Sequence, residues 1–249
     1  MKGISVSALF DLGHTVAAEL FSDVSEPWSV LAGIKDYIRK LGPTLDSEHF
    51  DQIAPDVWVA KSATVAPTAF IAGPAVIDER AEVRHCAFIR GGVIIGKDCV
   101  VGNSTELKNV VLFDNVQVPH YNYVGDSVLG YRAHMGAGAV TSNVKSDKSL
   151  VTVSTVSGRI ITGLKKFGAM VGDSSEIGCN AVLCPGTVIS RGSTVYSPVS
   201  SRGSASRPSR SSPARNPRWP PLIPSTGQSA SAAALATCMM VPSPPIATA

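Results

Sequence analysis

"VAPTAFIAGPAVIDERAEVRHCAFIRGGVIIGKDCVVGNSTEL", residues 65 to 107, places an apolar side chain at every sixth position. Extended one step each way, the series reads Val59, Val65, Ile71, Ile77, Val83, Ile89, Ile95, Val101, Leu107 and Phe113. A small residue stands two positions ahead of most members (Ala63, Ala69, Ala75, Ala81, Ala87, Cys99, Thr105), and Gly or Ala often follows. A helix repeats every 3.6 residues and a strand every 2, so neither sustains a period of six. A hexapeptide solenoid does: each hexad is a short strand plus a turn, and three hexads close a triangular coil of about 18 residues. The large residue points into the prism and the small one fits near the corner. The expected fold class is all-β, a single-stranded left-handed parallel β-helix (hexapeptide repeats) with a short N-terminal helical segment. Its left-handed coiling departs from the usual right-handed crossover of parallel strands.

Outward from this stretch the pattern changes three times. In "LFDNVQVPHYNYVGD", residues 112 to 126, the count slips after Phe113, and the next series (Val124, Leu129, Met135) opens with a step of five. A gap at about 142–166, rich in Ser, Lys, Thr and Asp, predicts a protruding loop; Val171, Ile177, Leu183, Ile189 and Val195 then resume the six-step. On the N-terminal side, "SEPWSVLAGIKDYIRKLGP" (residues 25 to 43) spaces Trp28, Leu31, Ile34, Ile38 and Leu41 as one amphipathic helix. Ser25 is its expected N-cap and Gly42-Pro43 its stop. The organisation predicted is a helical segment over 1–55, a β-helix over 56–199 and a tail over 200–249. That tail holds eleven serines and nine prolines without any period. Such a composition cannot bury a core, and its abrupt start resembles a shifted reading frame.

The net charge of +3 comes from the tail, where five arginines stand without an acid; residues 1–199 sum to −2. A nearly neutral body argues against nucleic-acid binding. The five cysteines include no C-x-x-C pair and read as free thiols of a reducing cytoplasm. No 18-residue apolar run or basic-then-apolar leader is visible, so a cytoplasmic protein without a membrane partner is expected.

Numbering also predicts chemistry. Arg90 and Lys108 occupy the same hexad position one coil apart, and stacked strands lie about 4.8 Å from each other. Two cations on one edge either hold a phosphate or diphosphate between them, or are neutralised by a carboxylate such as Glu79, Glu82 or Glu106, or both extend into water. His120, inside the slip, is either a general base, a plain surface histidine, or a histidine bonded to Asp114 or Asp126 for structure alone. Zinc through three histidines, as in the solenoidal γ-class carbonic anhydrases, requires two histidines five residues apart. His14, His49, His85, His120 and His134 are too widely spread, so no metal is expected.

"NSTELKNVVLFDNVQVPHYNYVGDSVLGYRAHMGAGAVTSN" joins three signals: E-L-K, H-x-x-Y-x-G-D and G-A-G-x-x-T-x-N. Together they resemble the acetyltransferase domain of the bifunctional N-acetylglucosamine-1-phosphate uridyltransferase/glucosamine-1-phosphate acetyltransferase. The resemblance is tightest over 88 to 143 and extends to 197; the whole chain looks like the short stand-alone relatives described as related to UDP-N-acetylglucosamine pyrophosphorylase. It implies a homotrimer that transfers an acetyl group from acetyl-CoA to an amino sugar phosphate or a sugar nucleotide. His120 matches the general base, and Arg90, Lys108, Tyr123 and Asn143 match substrate-binding positions. Ala137 and Cys179 match positions beside the cofactor. His134 stands in the substrate site where the family has an asparagine. No Gly-rich pyrophosphorylase segment is present in these residues, so uridyl transfer is not expected of them.

Overall fold

A computed structural model describes residues 4–155 and 158–198. The tail expected over 200–249, and Cys238 within it, lie outside the described residues. Short parallel strands stack on three faces, and each face is built from one inward column of the hexad series. On the first face Val57–Ala60 pairs with Ala75–Ile77, and that with Val93–Ile95, always eighteen positions on. On the second, Thr64–Val65, Glu82–Val83 and Val100–Asn103 follow at the same step. On the third, Phe70–Ile71 pairs with Phe88–Ile89, and Ile89 with Leu107. The inward residues Ile77, Ile89, Ile95, Val101 and Leu107 are fully buried. Removing a Leu or Ile side chain from water contributes about 1.5–3 kcal/mol, so the columns supply much of the drive that closes the coil. Close coil spacing shows at Gly102, where a Cβ would lie 1.4 Å from the Pro119 carbonyl oxygen.

The six-step does not slip where the count after Phe113 places it. Leu107 is followed inward by Leu112, and Val124 by Leu129, because the pairs Val93–Val110, Leu107–Val124 and Leu112–Leu129 are each seventeen apart. Two corners have therefore lost one residue: Lys108-Asn109 and Gly125-Asp126 stand where the coil below has Arg90-Gly91-Gly92. The strands Glu106–Leu112 and Tyr123–Leu129 run continuously round this shortened bend. Asn109 (φ 54°) and Asp126 (φ 48°) make the turn in the left-handed region, which Asn and Asp tolerate better than most side chains. Phe113, apolar but one place past Leu112, is buried against Phe10 and Phe21 with ring centroids 5.3 and 5.6 Å away. His120 likewise stays on the lattice, in register with Asn103.

The N-terminal segment covers the first face. Instead of one helix capped at Ser25, a 3₁₀ helix Pro27–Ala32 begins after Glu26, and an α-helix Ile34–Leu41 follows it. Gly33 divides the two, and Ser25 donates only to the Glu26 carboxylate at 3.3 Å. The apolar stripe is nonetheless buried through Trp28, Leu31, Ile34 and Ile38. Asp173 ties the segment down by accepting from the backbone N–H of Asp11 (2.8 Å) and of Tyr131 (2.9 Å). Residues 142–166 carry a hairpin, Thr152–Thr155 against Gly158–Ile161. They do not simply protrude: Val151 and Val153 are buried, and the adjoining Phe167 packs on Trp28 at 5.8 Å. This excursion leaves the solenoid at the shortened corner, one coil beyond Asp126. No helix among the described residues is long and apolar enough to cross a membrane.

Candidate functional site

Counting by seventeen along the shortened corner gives Asn109, Asp126 and Asn143, and these three side chains form a ladder. Asp126 is at its centre, with its side chain only 6% exposed. Its Oδ1 accepts from Asn109 Nδ2 (3.0 Å) and its Oδ2 from Asn143 Nδ2 (2.6 Å). Lys108 Nζ donates to both oxygens at 3.1 and 3.2 Å. Asn143 also donates to the Tyr123 hydroxyl at 3.1 Å, and Asn109 reaches the Leu31 carbonyl at 3.0 Å. The ladder thus locks Lys108, Tyr123 and Asn143 together and fastens them to the N-terminal segment. A carboxylate withdrawn this far from water is tolerable only because every lone pair has a donor. Burial, then the Asp126 charge and the Glu106 charge, push the Tyr123 phenol above its ordinary pKa. It stays protonated at neutral pH, accepts from Asn143, and keeps its own O–H free to donate.

Arg90 and Lys108 stand in register on adjacent coils, since Ile89 pairs with Leu107. Each has a carboxylate partner. Arg90 Nη1 meets Glu106 Oε1 at 2.7 Å, and the Arg90 guanidinium lies 5.8 Å from the Phe88 ring centre. This pair is much more open than the other, at 45% and 32% exposed against 23% for Lys108 and 6% for Asp126. Each cation therefore has its own carboxylate counter-ion: Glu106 on Arg90 and Asp126 on Lys108.

A second corner, between the second and third faces, collects other residues. The pairings Gln117–His134 and Met135–Ile177 put His120, Ala137 and Cys179 in one column on successive coils. His120 is exposed, and among the described residues its imidazole forms no hydrogen bond; neither Asp114 nor Asp126 holds it. Its carbonyl accepts from Gly138 N at 3.0 Å, and its N–H donates to Asn122 Oδ1 at 3.1 Å. Buried Asn122 in turn donates to the carbonyls of Gly136 and Ala139 at 2.9 and 3.0 Å. Tyr121 is exposed at the turn with φ 52°. Only Tyr123 and Val124 separate this corner from the ladder. His134 is set apart on the second face, where its Nδ1 meets Glu176 Oε2 at 2.7 Å. Both border an open cavity of about 230 Å³ that Cys179 also lines. The motifs contain Glu106 and Asp126 as letters, and Glu106 is among the acids expected near the two cations; Asn109 and the bonds from Lys108, Asn109 and Asn143 to Asp126 were missed. The seventeen-residue spacing of three short polar residues was the available signal for the ladder.

Comparison with known proteins finds similar sequences and folds. Residues 71–163 match the family described as the GMPPB C-terminal domain. The bifunctional protein GlmU of Methanococcus vannielii is 30% identical over 177 residues, covering 70% of this chain and 42% of its own length. The uncharacterized acetyltransferase YaiX of Escherichia coli is 34% identical over 145 residues, covering 58% and 63%. Among solved structures, a hexapeptide transferase family protein from Anaplasma phagocytophilum overlays with a TM-score of 0.44 and 17% identity, covering 57% of this chain and 75% of its own. The chain is a hexapeptide-repeat β-solenoid related in sequence to acetyltransferase-type proteins. Within that class its likeness runs to the GlmU proteins, and the chain spans less than half the length of the M. vannielii relative.

Proposed function

We propose that this protein moves an acetyl group from acetyl-CoA to an amino sugar phosphate or nucleotide-linked amino sugar, as a cytoplasmic homotrimer. The supporting observation is that the segment bearing H-x-x-Y-x-G-D folds into two adjoining corners. One is a wired cluster of Lys108, Tyr123, Asp126 and Asn143; the other presents His120 with Ala137 and Cys179. Arg90, Lys108 and the Tyr123 hydroxyl hold the phosphate end of the acceptor. The small side chain at Ala137 lets the thioester approach the backbone, and Cys179 borders the same path. His134 lines the acceptor side across from the neighbouring copy.

The amine nitrogen forms a bond to the thioester carbonyl carbon, and the C–S bond breaks as the tetrahedral adduct collapses. The proton lost from nitrogen passes to the His120 imidazole and from there to the departing sulfur. Clefts between copies complete the site, because one corner alone leaves the His120 ring without a partner.

A second reading, a non-catalytic module that binds a sugar nucleotide, is favoured by the carboxylates already seated on both cations. Thiol release from acetyl-CoA with glucosamine 1-phosphate separates the two. Acceptor-dependent release supports the transferase, whereas saturable UDP-N-acetylglucosamine binding without any release supports the module.

A further inference from the structure

The two carboxylates on the stacked cations differ in a way that assigns them different tasks. Asp126 is nearly buried and accepts from Lys108, Asn109 and Asn143; removing it from Lys108 leaves a desolvated carboxylate behind. Among the described residues Glu106 makes a single side-chain hydrogen bond, to Arg90, at an open edge of the third face. An exposed pair of this kind is held loosely, because water and salt replace it readily.

We propose that Glu106 is a displaceable gate on Arg90, while Asp126 is a fixed brace that keeps Lys108 and Asn143 in place when a ligand arrives. An incoming phosphate group takes over the Arg90 guanidinium, and Glu106 swings out to solvent. Lys108 remains with Asp126 and offers the phosphate its remaining N–H. The gate makes the corner electrically balanced when empty and discriminates by charge. A dianionic phosphate outcompetes the Glu106 carboxylate for Arg90, whereas a singly charged carboxylate ligand only matches it. The inference deepens the sugar-phosphate reading of this corner and rests on it, but concerns binding and not transfer.

Calorimetric titration of the full chain with inorganic diphosphate, at low salt, tests it. Glu106→Gln removes a like charge from contact distance, so diphosphate should bind about fivefold tighter than to wild type. The gain should vanish in Arg90→Gln/Glu106→Gln. Binding to Glu106→Gln alone, with none to wild type, also supports the gate. Equal or weaker binding to Glu106→Gln, a gain that survives loss of Arg90, or no binding to any of the three overturns it. Both substitutions lie at an exposed pair, and thermal melts of the same samples verify folding. Failure of acetyl transfer with these binding results intact would sink the transferase reading and leave the gate standing.

Discussion

The two corners that flank Tyr123 and Val124 are built from consecutive residues of one coil, yet they are held very differently. At the shortened corner the polar side chains are wired to one another: Asp126 gathers Lys108, Asn109 and Asn143, and Asn143 adds Tyr123. At the other, His120 is exposed with an unengaged ring, and Cys179 is an exposed free thiol. Preorganisation is concentrated where a ligand would be gripped. The corner to which the proposal assigns the chemistry is the open one.

If that contrast is correct, substitutions on the two sides break different properties. The largest effect belongs to His120→Ala. Acetyl transfer should fall by about 10²–10⁴-fold, the range for losing a positioned general base, with the melting curve unchanged. Asp126→Ala should show the opposite signature. It leaves Lys108 and Asn143 without their acceptor, and urea unfolding should report a loss of about 2–3 kcal/mol; an unchanged midpoint would mean the ladder is ornamental.

Tyr123→Phe sharpens the comparison through pH. The folded-state phenol is raised by burial and nearby carboxylates, so the folded protein resists its ionisation while the unfolded chain ionises near pH 10. Stability present below that pH is lost as pH rises through the higher folded value. The wild type should therefore lose stability more steeply than Tyr123→Phe in alkaline melts. Matching alkaline profiles would place the hydroxyl outside the buried cluster. The smallest effect is expected at Arg90→Gln, whose side chain is exposed and whose partner Glu106 is only half-buried. Its melting temperature should barely move, in contrast to Asp126→Ala.

Much of this architecture is legible in the sequence. Val59 to Leu107 fix the period, and with it the stacking of Arg90 on Lys108. The slip was misplaced for a physical reason. Leu112 and Phe113 are both buried apolar residues, one inside the prism and the other beneath Phe10 and Phe21. A count by sixes selects the wrong one. The N-terminal helix was misjudged because a stripe of apolar residues reports burial but not continuity; Gly33 breaks the helix without disturbing the stripe. The ion pairs were invisible in another sense. Glu106 had been one of several acids within reach of Arg90, and only side-chain direction selects it. Asp126 was weighed as a partner of His120, whereas the corner turns its carboxylate toward Lys108.

A crystal structure with CoA and glucosamine 1-phosphate tests the central claim most directly. The account predicts the phosphate within hydrogen-bond distance of Arg90 and Lys108, and the amine between the His120 ring and the pantetheine sulfur. Ordered ligands bound away from these two corners, or an amine remote from His120, would contradict it.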